Sequence, residues 1–177
     1  EKLLRDALVL PIYEGTSQIQ ALMATKDTLL SVTKNPSKFI AQLADSWRRS
    51  SFGVDSLERR VAKLEHMGLR AQRILMMRVV KGKWSDSRSL KNWDTKKDFA
   101  PALLHAENLT VLLADVATAK ELLAQARRFT RREDVLEGFL ERAEPRCADR
   151  LLRIETTGNR LLKKLRPETA NEEVEAA

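Results

Sequence analysis

Residues 55–81 read DSLERRVAKLEHMGLRAQRILMMRVVK, and the spacing of their apolar side chains decides the fold. Leu57, Val61, Leu64, Ala71, Ile74 and Leu75 fall at steps built from three and four residues, the period that gathers side chains on one face of an α-helix. Ser50, Ser51 and Gly53 mark a loop ahead of this run, and Asp55 can cap its first turn with a side-chain oxygen. The spacing predicts a helix from about Asp55 to Lys81 whose apolar stripe needs partners.

Two further stripes supply them. Residues 97–129 place Phe99, Leu103, Ala106, Leu109, Leu113, Val116, Leu123 and Ala126 on one side of a second long helix, with Pro101 tolerated in its first turn. A third helix, starting near Arg132, carries Val135, Leu136, Phe139, Leu140, Ala143, Cys147, Leu151, Ile154, Leu161 and Leu165. Pro145 inside it removes a backbone donor and predicts a kink or break. Towards the start of the chain, residues 1–10 (EKLLRDALVL) form a short helix ended by Pro11. A helix from about Ser17 to Val32 follows, with Ile19, Leu22, Met23, Leu29 and Leu30 as its buried set. Asn35-Pro36 stops it, and a shorter helix runs from there to Trp47. Residues 82–96, GKWSDSRSLKNWDTK, are polar and aperiodic, a long connection that is expected to pack on something or bind something. The acidic last ten residues, ETANEEVEAA, suit a disordered tail. Stripes of this kind are buried most simply in an all-α helical bundle.

Composition agrees. The 177 residues include 43% hydrophobic but only 5% aromatic side chains, six glycines, five prolines and one cysteine, which excludes collagen-like, low-complexity and disulfide-scaffold chains. No apolar run reaches the roughly 18 residues of a membrane span, and no signal-peptide pattern opens the chain. Lys and Arg outnumber Asp and Glu by 32 to 25, a net charge of +7 that either favours anionic partners or simply keeps the chain in solution. Glu1 opens the sequence in mid-helix, and the chain is expected to be a fragment of a longer protein.

One stretch carries chemistry. Arg5-Asp6-Ala7, followed by Ile12-Tyr13-Glu14-Gly15-Thr16-Ser17-Gln18-Ile19-Gln20, resembles the closing motif of the acyl-CoA dehydrogenase family over the first 25 to 30 residues. The resemblance implies that Glu14 is the base that takes the α-proton of an acyl-CoA thioester while the β-hydride passes to N5 of FAD. It places Gly15 and Tyr13 against the substrate and Thr16, Ser17 and Gln18 against the flavin. The base's own backbone N–H then helps to hold the enolate-like oxygen, and burial beside the acyl chain raises the carboxyl pKa towards a useful range. Ala21 stands where many smaller members have arginine, and IQAL instead resembles enlarged members with an extra helical domain. The implied organisation is 1–35 as the end of the dehydrogenase helical domain, 36–166 as an added helical bundle and 167–177 as the acidic tail. An electron-transfer acceptor and a homodimer or tetramer are the implied partners. The implied location is cytoplasmic, with peripheral contact at the inner membrane. The fragment alone is expected to be inactive.

The remaining candidates have plainer readings. His66 and His105 lack a second ligand at metal spacing, so no metal site is expected. Cys147 reads as a buried inert thiol. Arg59, Lys63, His66, Arg70 and Arg73 share one helix face, and Arg78, Lys81 and further lysines extend it. A solvated or ion-paired face is the first reading of that stripe, an anionic membrane surface the second, and nucleic acid the least favoured.

Overall fold

The computed structural model describes residues 17–85, 99–158 and 160–161, with side chains for all of these but 82–85. The described residues contain six α-helices and no strand. These are α1 (Ser17–Lys34), α2 (Pro36–Phe52), α3 (Ser56–Ser85), α4 (Ala100–Leu103), α5 (Ala106–Arg128) and α6 (Glu133–Thr156), with a 3₁₀ turn at Thr130–Arg132 between the last two. The expected all-α bundle is what forms.

Helix α3 is the centre of the packing, touching α2 on one side, α6 on another, and α4 and α5 on a third. Its start is local chemistry: Asp55 Oδ1 accepts from the Leu57 N–H at 2.9 Å, satisfying an otherwise orphaned donor of the first turn. Leu64, Leu75 and Val79 of α3 meet Leu109, Leu112 and Ala119 of α5 and Leu136, Leu140 and Ile154 of α6 in one core, which Leu29 of α1 and Phe99 also enter. A smaller apolar cluster of Val32, Phe39 and Leu69 joins α1, α2 and α3. Gly68 permits the close crossing of α3 and α5, since a Cβ there would lie 3.2 Å from Leu112 and 3.3 Å from Leu113.

Several expectations need correction. Ser50 and Ser51 belong to the last turn of α2, and the loop reduces to the residues around Gly53 and Val54. Helix α3 runs four residues past Lys81. The second long helix is broken at Leu104-His105, because His105 leaves helical geometry (φ −111°, ψ 14°) and sends its buried ring towards Arg78 and Thr157. Of the kink or break expected at Pro145, no break forms: α6 continues through this residue, whose ring lies on the exposed face where water can take up the carbonyl it strands. It stops at Thr156, ahead of Leu161, which is 57% exposed. In α1 the buried set is Ala21, Thr25, Leu29 and Val32, while Ile19, Leu22 and Met23 face solvent. Both sets have helical spacing. The smaller side chains win because they let α1 lie close on α5, where the Thr25 hydroxyl reaches the Ala106 carbonyl at 3.5 Å.

Candidate functional site

Of the residues assigned by the motif, Ser17 and Gln18 form the exposed first turn of α1. Tyr13, Glu14, Gly15 and Thr16 lie outside the described residues, as do the helix expected at 1–10, residues 86–98 of the long connection and the acidic tail. Ser17, Gln18 and Ala21 make one wall of a groove of about 340 Å³ whose other wall is Glu107, Thr110 and Val111 of α5. A second hollow of about 340 Å³ continues the same seam between Thr25 and Thr28 of α1 and Leu109, Leu113 and Ala114 of α5, with Thr110 shared by both. The Thr110 hydroxyl oxygen is buried and makes no hydrogen bond among the described residues. No acidic residue sits in the first turn of α1, so its side-chain hydroxyl and amide face this end of the groove without a carboxylate from their own helix.

A half-buried polar cluster that the sequence does not announce closes the far end of α6. Arg78 of α3 donates through Nη2 to the Ile154 and Glu155 carbonyls and through Nη1 to the Thr157 carbonyl at 3.2 Å. Carbonyls at a helix C-terminus lack partners in their own helix, and a cation suits the negative end of the dipole. His105 Nε2 lies 3.0 Å from Arg78 Nη1 and 3.1 Å from the Thr157 carbonyl oxygen. Burial lowers the His105 pKa, and the Arg78 charge lowers it further. Gly158, at φ +100°, turns the backbone against this ring, and a Cβ there would fall 2.6 Å from Nε2. Arg78 is thus a helix cap and does not extend the solvent-facing stripe. Only the tertiary approach of α3 and α6 reveals it.

Asp115 of α5 is buried and holds Arg146 through two hydrogen bonds of 2.8 and 2.7 Å. Cys147 Sγ lies 3.7 Å from the same carboxylate, and burial, then this negative charge, push its thiol pKa up to about 12. Such a thiol is a weak nucleophile at neutral pH. Glu65 links α2 to α5 by accepting from Arg49 at 2.6 Å and from Lys120 at 2.8 Å.

The basic stripe of α3 separates by environment. Arg59, Lys63, Arg73 and Lys81 are exposed, and Arg70 pairs with Glu155 at 2.8 Å. His66 turns to α2, with Nδ1 3.2 Å from the buried Ser46 hydroxyl, and burial leads the lowering of its pKa. Among the described residues no group of three or more His, Cys, Asp or Glu side chains could hold a metal ion, and no helix is long and apolar enough to cross a membrane.

No family model matches the chain, and no curated protein or solved structure matches it. The functional reading therefore rests on the residues from Ile12 to Gln20 and on the groove at the head of α1.

Proposed function

We propose that this chain is the C-terminal part of an FAD-dependent acyl-CoA dehydrogenase of the enlarged type, with an all-α extension after residue 35. The observation that carries the reading is the run Ile12-Tyr13-Glu14-Gly15-Thr16-Ser17-Gln18-Ile19-Gln20, of which Ser17, Gln18 and Gln20 bring exposed polar side chains to the start of α1, beside the exposed Ile19. Ser17 and Gln18 offer an exposed hydroxyl and amide to an oxygen-rich cofactor, with the Glu107 side chain on the facing wall of the groove. Thr16 would join them. FAD, when bound, supplies the acceptor for the substrate's β-hydride. Glu14 removes the α-proton, and its own N–H donates to the thioester oxygen as negative charge develops there. Gly15, having no side chain, leaves room for the thioester, and Tyr13 lies along the acyl chain.

The test is made in the complete flavoenzyme. Glu14→Gln should retain flavin absorbance but lose acyl-CoA-driven bleaching by about 10²- to 10⁴-fold, the usual contribution of a positioned base. Equal bleaching by both proteins removes Glu14 from the chemistry.

A second reading is a non-catalytic docking module for an oligomer or an anionic surface. The exposed cations of α3, together with the exposed Ile40 and Trp47 of α2, favour it. Sedimentation with anionic vesicles at low and high salt checks the membrane form of this reading, and salt-sensitive DNA retention without lipid binding would point instead to a nucleic-acid-binding relative.

A further inference from the structure

The exposed side of α3 carries more cation than its described neighbours balance. Arg59, Lys63, Arg73 and Lys81 face solvent along about 33 Å of helix at 1.5 Å per residue. Arg70, between them, is held by Glu155. Two contacts define the borders of this strip: His66 with Ser46 sets α2 along one flank, and Arg70 with Glu155 sets α6 along the other. Met77, 51% exposed, gives the strip an apolar foothold.

The chain leaves α6 beside this strip. Arg78 grips the carbonyls of Ile154, Glu155 and Thr157, so the last turn of α6 is fixed to α3 between Arg70 and Lys81. Gly158 then turns the backbone. Beyond the described residues the sequence holds Lys163, Lys164 and Arg166 and then, with no further cation, Glu168, Glu172, Glu173 and Glu175. Residues 162–167 can reach about 20 Å and the acidic run 168–175 about 25 Å more at 3.3–3.6 Å per residue, so that its carboxylates can lie along most of the strip. We infer that the acidic run 168–175 docks on the exposed basic strip of α3 and covers it in cis.

The physical case is tethering combined with charge. Exposed ion pairs are individually weak and yield to salt. A segment attached a few residues away acts at a local concentration in the millimolar range, so weak pairs made together suffice. Four carboxylates meet Arg59, Lys63, Arg73 and Lys81, the cations of the strip for which the described residues provide no carboxylate. The consequence is competition: a polyanion, a lipid surface or a nucleic acid reaching for this face must first displace the chain's own glutamates.

The test uses the 177-residue chain with Val174→Cys carrying a nitroxide label, while the buried Cys147 thiol stays unmodified at pH 7. At about 50 mM salt the amide signals around Lys63, Arg70 and Arg73 should broaden. They should recover near 1 M salt, where screening acts over about 3 Å. Lys63→Glu with Arg73→Glu, both exposed and off the core, should abolish the broadening with helical content unchanged. Arg128→Glu, at the end of α5, should leave it intact. No broadening at low salt, broadening centred elsewhere, or broadening indifferent to the α3 charge reversals overturns the inference. As a second arm, replacing Glu168, Glu172, Glu173 and Glu175 by Gln should tighten binding of inorganic polyphosphate on the order of 10-fold at low salt. Unchanged affinity also defeats it.

Discussion

His105 presents one ring nitrogen to two competitors. Arg78 Nη1 can donate to Nε2, or a protonated Nε2 can donate to the Thr157 carbonyl, while Nδ1 is buried without a partner. Adding a second proton would put a cation beside Arg78 in a buried place, so the native pKa falls below the ordinary 6.5, through burial first and the Arg78 charge second. The unfolded chain therefore takes up the proton first as pH falls. The stability that His105 contributes is fully present above about pH 6.5 and is lost as pH drops through that value towards the lowered native one. Urea midpoints measured at pH 7.5 and 5.5 should show a larger loss for the wild-type chain than for His105→Gln. His66 is shifted in the same direction and remains in both proteins, so the difference isolates His105. Parallel loss in both would dismiss this role. The position is invisible in sequence: His105 sits in an unbroken helical pattern, and its neighbours come from residues 78 and 157.

At the scale of the element, starts are more legible than interruptions. Asp55 reads as a cap because the signal is local, and the hydrogen bond to Leu57 forms as its chemistry requires. Asp55→Ala should lower stability by about 1 kcal/mol, and Asp55→Asn by much less, since the amide oxygen can also accept. Thermal or urea unfolding measures both, and an Ala variant as stable as wild type would show that the cap is idle. The break between α4 and α5 was not legible, and at Pro145 the sequence left kink and break open, for opposite reasons. At His105 a tertiary hydrogen-bonding site outweighs good helical propensity. At Pro145 solvent exposure on one face lets a poor helix former stay in place. In α1 two faces had equal periodicity, and the choice fell to the one with Ala21 and Thr25, which fits against α5.

For the whole molecule, the main core is a contiguous body built from the stripes of α3, α5 and α6, with the smaller Val32, Phe39 and Leu69 cluster beside it. Cys147 lies inside it and reports on its opening. Its thiol is fully buried, with a pKa pushed up to about 12. Modification by a disulfide reagent at pH 8 should be at least about 10³-fold slower than in the unfolded chain, matching the small open fraction of a domain stable by about 5 kcal/mol or more. The rate should climb steeply with urea along the unfolding transition. Fast, urea-independent labelling would mean that α6 opens locally without the rest of the bundle.

By itself the sequence determined the class of fold, the three long stripes, the cap at Asp55 and the motif that leads into α1 at Ser17 and Gln18. Each of these is written in neighbours three or four residues apart, within reach of local hydrogen bonding and helical periodicity. The tertiary structure alone decided which face of α1 is buried, where α4 gives way to α5, that Arg78 caps α6, and that no other described helix covers the basic side of α3 between α2 and α6. Those outcomes depend on how closely two backbones approach and on which distant carbonyls need a donor, and no periodicity along one chain segment encodes either.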